Sequence, residues 1–424
     1  MSDHPDHSTP AAGAFAALRF RDFRLFWFGL FISNVGTWMQ MTAISWMLYD
    51  ITHSPLQLGL NGLFRAVPSI ALGIFGGTMA DRYDRKRLML ATQITSMLLA
   101  FALGVLDQTG RIQVWHIYAM TALSAVVNAL DGPARQALYP SLVPRSALPN
   151  AIALNALLWK GTALIGPSLA GIAISTVGTD GAFYANAASF LAVVVALLMM
   201  KTRAVRIGTT GDFLQELKEG LAYVRGQNLI LAVMVMEGVS SVFGLDPAML
   251  TIFARDILQV GASGLGFLQS ARGVGAIIGS GLMIAMSDTR AQGKILFLSA
   301  ILYGLCFALF GLSLSFALSL LLLVLMGATD TIWAAARNII LQVQAPEELR
   351  GRVMGVFYLS NRGLHPLGQT ETGLAVPLIG AREATVLGGL LVAGVTLLTA
   401  AKVPRLVQFR WEMARRAKIV DAAE

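Results

Sequence analysis

The sequence predicts an all-α polytopic membrane protein, with about twelve transmembrane helices in two pseudo-symmetric six-helix bundles. Three observations lead there. First, 55% of the 424 residues are hydrophobic and only 13% are charged, against roughly 25% charged in a soluble domain. The mean hydropathy is +0.65, so too little polar material is present to coat a water-facing surface. Second, the apolar residues form continuous runs, unlike the alternating segments of a barrel. At about 20 residues per span, the length holds roughly twelve runs. Third, the few charges inside those runs recur in both halves of the chain.

Taken in order, a polar tail, 1–24, opens the chain; up to Gly13 it lacks the apolar core of a signal peptide. Apolar runs near 25–49, 56–80, 88–106, 115–138, 149–177 and 181–200 make the first bundle, 25–200. A polar linker, 201–228, separates it from runs near 229–254, 263–286, 294–313, 316–341, 353–379 and 384–401, the second bundle, 229–401. A basic tail, 402–424, closes the chain. Within the linker, Phe213, Leu214, Leu217, Leu221 and Val224 share one helical face, which predicts an amphipathic helix on the inner membrane surface.

The net charge of +8 is not a nucleic-acid footprint once its 32 Lys and Arg are placed. Six lie inside apolar runs: Arg65, Arg135, Lys160, Arg272, Arg337 and Arg362. Arg111, Arg255 and Arg382 fall in loops of one side, and the rest lie in the tails and the loops of the other. That bias predicts cytoplasmic termini and a cytoplasmic linker, in a plasma (inner) membrane protein touching lipid but no nucleic acid.

The halves repeat. Gly59, Arg65, Val67, Ile70, Met79 and Asp81 match Gly266, Arg272, Val274, Ile277, Met286 and Asp288 at a constant interval of 207. Ala134, Arg135 and Pro144 match Ala336, Arg337 and Pro346 at 202. The same interval carries Gly161, Gly166 and Gly171 onto Gly363, Gly368 and Gly373, and Lys160 onto Arg362. All six intramembrane basic residues thus form three pairs, as parallel repeats would place them.

An ionised side chain at mid-bilayer costs roughly 2.5–3.5 kcal/mol and is kept where it faces a polar interior or a partner. Arg65, Arg135, Lys160, Arg272, Arg337 and Arg362 are therefore cavity candidates, with Asn34, Trp38 and Gln40 of the first run. The acidic candidates for proton coupling are Asp131, Glu237, Asp330 and Glu371, Asp330 falling nearest mid-span. Asp131 and Arg135 are four residues apart, Asp330 and Arg337 seven, so each pair shares a helix face. Asp246-Pro247 reads as a helix-bend marker. Gly166, Pro167 and Gly171 permit a bend and close packing in the fifth run. No phosphate-binding Gly-x-x-x-x-Gly-Lys motif, metal-ligand spacing or clustered catalytic set is present, so neither an enzyme nor a cofactor is expected. Cys306, in an apolar run, reads as packing.

The loop after the second run reads Gly77-Thr-Met-Ala-Asp81-Arg82-Tyr-Asp84-Arg85-Lys86-Arg87. It resembles the cytoplasmic signature Gly-x-x-x-Asp-Arg-x-Gly-Arg-Arg of the major facilitator superfamily, with Asp84 in place of the second glycine. Gly166-Pro167-Ser-Leu-Ala170-Gly171 is similar to the Gly-Pro-x-x-Gly-Gly pattern of its proton-coupled antiporters, Ala170 departing from it. Gly132-Pro-Ala-Arg135 through Leu142-Val-Pro144, on to Asn150 and Asn155, resembles the subgroup containing enterobactin exporters and macrolide efflux proteins. The resemblance implies a secondary active transporter working by alternating access, with protons and an amphipathic drug- or siderophore-type molecule as partners. Uptake, facilitated diffusion and a non-transporting sensor of the same fold are the alternatives. It also implies that Gly77, Asp81, Arg82, Arg85 and Lys86 form a conformational latch. In such a latch Asp81 bonds helix N-terminal amides, and the basic residues meet acidic groups or lipid phosphates.

Overall fold

A computed structural model describes residues 15–82, 84–201, 213–286 and 291–410, with side chains described outside 73–83, 213–217 and 362. The helices, in order, are α1 (Arg21–Thr52), α2 (Pro55–Arg82), α3 (Arg85–Gln108), α4 (Val114–Leu138) and α5 (Leu148–Met199). There follow α6 (Phe213–Gly226), α7 (Asn228–Phe243), α8 (Pro247–Ile252), α9 (Gly261–Ala285) and α10 (Gln292–Leu312). The series ends with α11 (Phe316–Gln344), α12 (Arg350–Ile379), α13 (Ala381–Lys402) and the short α14 (Pro404–Val407). No strand occurs among the described residues. The all-α polytopic fold is as expected.

Seven helical segments among the described residues are long and apolar enough by themselves to cross a membrane. Helices α1, α2, α4 and α12 are absent from that set. They are diluted by polar and charged residues, among them Asn34, Gln40, Arg65, Asp131, Arg135, Asn361, His365 and Glu371. The longest helix, α5, is two spans in one: Gly178 breaks it with φ 83° and ψ 176°. Gly380, between α12 and α13, adopts φ 91° and ψ 154°. These two glycines are 202 residues apart, the interval that relates Arg135 to Arg337. A side chain would strain this backbone, so each half keeps glycine at the same break.

The described residues pack as two compact units, within Met1–Ala43 with Ala71–Thr209 and within Ile44–Ile70 with Thr210–Glu424. The end of α1 and the first part of α2 therefore belong to the second unit. In the first unit α3 packs against α4 and α5; in the second, α10 packs against α11 and α13. The same members of each repeat thus meet. Close approach is through small residues, as expected where lipid removes the hydrophobic drive between helices. A Cβ on Gly104 would stand 2.7 Å from the Tyr184 ring, and one on Gly304 2.7 Å from the Gly389 carbonyl.

An apolar core in the first unit gathers Phe23, Phe26, Leu30, Met89, Leu138, Leu158 and Leu197 around Tyr139. Phe23 and Phe26 meet the Tyr139 ring edge-on, at 5.9 and 5.3 Å between centroids. Many large apolar side chains instead point outward, among them Leu98, Val195, Leu298 and Leu397. In a span that is the face lipid wets, so it carries no cost there.

The linker carries a helix, α6, which packs against α12; the side chains of Phe213, Leu214 and Leu217 lie outside the described residues, and Leu221 is exposed. Gly220 lies against the Arg352 carbonyl, at 2.9 Å from an added Cβ. Glu219 pairs with Arg352, and Val224 is buried. The tails 1–14 and 411–424, the linker segment 202–212 and Asp288 lie outside the described residues.

Candidate functional site

The two repeat-related arginines each hold a carboxylate, but from different places. Arg135 of α4 pairs with Asp131, one turn earlier on the same helix. The Asp131 carboxylate is buried and also accepts from Thr92 Oγ1 at 2.8 Å and Gln93 Nε2 at 3.0 Å. The Arg135 guanidinium lies over the Trp159 ring at 5.5 Å. Arg337 of α11 reaches across to Glu237 of α7, whose other oxygen accepts from Asn361 of α12. The Arg337 guanidinium covers the Phe357 ring at 4.7 Å.

This replaces the pairing expected along α11. Asp330 shares a helix with Arg337, yet Glu237 from a neighbouring helix takes the guanidinium. Sequence spacing could not anticipate a partner 100 residues away. Among the described residues Asp330 has no hydrogen bond or ion pair, and it acts electrostatically on Glu237, Tyr303 and His365. Glu371 is likewise unpaired among them, within electrostatic range of Asp246. Asp246 is committed elsewhere. As the N-cap of α8 it accepts from the amides of Ala248, at 2.6 Å, and Met249, at 3.2 Å. Its second oxygen accepts from the Thr372 hydroxyl. Its place at the start of α8, before Pro247, agrees with a role at a chain bend.

Arg65 of α2 and Arg272 of α9 are half-buried. Arg272 Nη1 donates to the Leu245 carbonyl at 3.3 Å, while Arg65 has no partner among the described residues. Both act on His365 of α12, a residue that is not among the sequence candidates. The available signal was position: His365 lies one turn beyond Asn361, which bonds Glu237. Lys160 is exposed beside Trp159. The side chain of Arg362, and those of Asp81 and Arg82 with the surroundings of Gly77, lie outside the described residues.

The polar residues of α1 are drawn into helix packing. Gln40 Oε1 accepts from Asn186 Nδ2 of α5 at 2.5 Å. Asn34 is buried, and its Nδ2 has no partner among the described residues. Trp38 lies directly against Gly166, where a side chain on residue 166 would overlap its Cβ. Gly166, Pro167 and Gly171 are buried, and α5 stays helical through them. Gly166 serves close approach to Trp38, and the non-helical residue inside α5 is Gly178.

Of the latch, Arg85 and Lys86 are described. Their partners are carbonyls, where acidic groups or phosphates were expected. Arg85 Nη1 donates to Ala137 O at 3.1 Å, and Lys86 Nζ to Met200 O at 2.7 Å. Cations at these helix C-termini complement the dipoles. Asp84, the departure from the signature, caps α3 by accepting from the Arg87 amide at 2.9 Å. At the opposite end of α1, Tyr49 donates to Asp256 and Asp50 pairs with Arg255. Arg255 also lies 5.6 Å from the Trp46 ring. Asp256 and Arg255 sit in a π-helical turn, Phe253–Ile257.

A family model described as "Transmembrane secretion effector" matches residues 12–419. The chain belongs to that family, within the major facilitator superfamily. It is 26% identical over 382 residues to the enterobactin exporter EntS of Escherichia coli, covering 89% of this chain and 91% of that one. It is 23% identical over 366 residues to the staphyloferrin A transporter of Staphylococcus aureus, covering 84% and 90%. A solved structure of a peptide-transporter (POT) family member, bound to 5-aminolevulinic acid, shares the fold. Its TM-score is 0.75 at 14% identity, covering 94% of this chain and 99% of that one. The protein is thus an integral membrane transporter of the major facilitator type, and its family and relatives are transporters and not enzymes.

Proposed function

We propose that this transporter exports an amphipathic small molecule of drug or siderophore type, driven by protons through alternating access. In this reading the protein lies in the inner membrane with both termini in the cytoplasm, and 201–228 joins the bundles 25–200 and 229–401. The observation that carries it is the carboxylate arrangement around Arg337. Glu237 and Asp330 act on one another, but the single guanidinium is bonded to Glu237. Asp330 has no hydrogen bond or ion pair among the described residues, so its carboxylate is available to a proton or a cargo group. A group whose charge is offset in one of two ways suits exchange of proton for cargo. The exporter among the relatives supports the direction.

The test is flux in proteoliposomes of known orientation, with an internal pH dye and cargo drawn from siderophores, macrolides and lipophilic cations. Cargo added on the cytoplasmic face should evoke counter-movement of protons. Asp330→Asn should abolish gradient-driven flux while the protein remains monodisperse. Flux indifferent to the pH gradient and to Asp330→Asn would reject the coupling and indicate a facilitative carrier.

A further inference from the structure

Arg24, Phe28 and Ile32 of α1 recur every four residues, and Ala192, Val195 and Met199 of α5 every three or four, so each set lies along one helix face. The two faces flank an open groove of about 440 Å³ within the first unit. Its floor is made of small residues: a Cβ on Gly29 would stand 3.0 Å from the Ala192 carbonyl oxygen and 3.2 Å from Ala196 Cβ. Its walls are Phe28, Ile32, Val195 and Met199, each about half exposed. The helices run antiparallel here, since Arg21 Nη1 at the start of α1 donates to the carbonyl of Met199, the last residue of α5, at 3.2 Å. Arg24 therefore stands at the mouth, just before the apolar run of α1, and Ile32 and Ala192 line the deep end. Arg24 is exposed and has no hydrogen bond or ion pair among the described residues. The neighbouring acid, Asp22, accepts from the Lys201 amide at 3.0 Å and lies 3.6 Å from Arg21.

An apolar furrow with a cation at its membrane-edge end suits a molecule with an anionic head and an apolar tail. We propose that this groove seats one acyl chain of an anionic phospholipid, with the phosphate held by Arg24. From Arg24 to Ile32 the groove runs along about 12 Å of α1, most of the roughly 15 Å depth of one leaflet's hydrocarbon. A helix is about 10 Å wide with its side chains, so a second copy of the chain would rest on the walls and leave the floor uncovered. A slender acyl chain reaches Gly29, Ala192 and Ala196. The guanidinium fork matches phosphate oxygens, and the walls hold the chain by apolar contact. The groove shares no residue with the ion pairs of Arg135 and Arg337, and its ligand is lipid, distinct from cargo.

The test uses the purified, delipidated full-length chain in detergent, with bound lipid counted by native mass spectrometry. The probes are phosphatidylglycerol, phosphatidylcholine with the same acyl chains, and glycerophosphoglycerol, the headgroup without chains. Phosphatidylglycerol should bind most tightly, and the bare headgroup should not compete with it. Arg24→Gln should weaken phosphatidylglycerol roughly fivefold, the contribution of one cation at an anionic membrane surface. Arg24→Lys, which keeps the charge, should retain part of the preference and checks that the fold survives. Arg145→Gln removes another exposed cation, at the connection between α4 and α5, and should change nothing. Val195→Trp, filling the groove from a half-exposed wall, should weaken both lipids. Equal binding of the two lipids overturns the proposal, as does a preference that survives Arg24→Gln or falls equally in Arg145→Gln. Competition by the bare headgroup overturns it as a free-phosphate site. A dimer of the chain that Val195→Trp dissolves overturns it by giving the groove to a second copy.

Discussion

The Arg337 guanidinium is bonded to the Glu237 carboxylate of another helix, whereas its repeat counterpart Arg135 is bonded to Asp131 of its own helix. The duplicated element is the arginine, and each half has supplied the acid differently. In the first unit the pair is closed, since Thr92, Gln93 and Arg135 together surround Asp131. In the second it is open, with Asp330 on the same helix as Arg337 and without a hydrogen bond or ion pair among the described residues.

That closed pair predicts a structural role for Asp131. Asp131→Asn leaves the largely buried Arg135 without its counter-charge, a loss of up to about 3–5 kcal/mol. Denaturant unfolding of the purified variant should show that loss. An unchanged unfolding midpoint would make Asp131 dispensable to the fold and return it to the coupling candidates.

The end of α1 is tied to the π-helical turn by Tyr49–Asp256 and Asp50–Arg255. Asp50 is largely exposed and Arg255 partly so, so each bond contributes on the order of 1 kcal/mol or less. Arg255→Gln with Asp256→Asn should therefore speed hydrogen exchange in residues 44–52 severalfold without unfolding the chain. Exchange at the wild-type rate would show that packing alone holds this end of α1.

Gly59 and Gly373 meet backbone to backbone. A Cβ on Gly59 would stand 2.8 Å from Gly373 Cα, and one on Gly373 2.7 Å from Gly59 Cα. Neither backbone can retreat as a flexible side chain could, so Gly59→Val should lower stability by about 1–3 kcal/mol. Gly132→Ala is the matched control, because an added Cβ there meets no heavy atom within 4 Å. Equal melting temperatures for the two variants would contradict the close approach.

Asp84 takes the place of a glycine in the superfamily signature and caps α3 through the Arg87 amide. Asp84→Ala should cost about 1 kcal/mol, and Asp84→Asn should restore most of it, since an amide oxygen also accepts. Thermal melts of the two variants separate this capping role from a role of charge in transport.

Span number, the repeat and the identity of the charged residues could be read from the chain alone, because each depends on local composition. A run of about 20 apolar residues must cross, and a charge within it must be sheltered wherever its neighbours lie. The break at Gly178 and its copy at Gly380 were equally present in the repeat interval. Which carboxylate meets which arginine was decided by tertiary structure. Glu237 and Arg337 are 100 residues apart, and only the packing of α7 beside α11 and α12 joins them. Arg65 and Arg272 stand out in the sequence as intramembrane charges, whereas their electrostatic reach to His365 is set by packing. Electrostatic interaction depends on distance through space, and periodicity along one helix carries no information about the helix opposite.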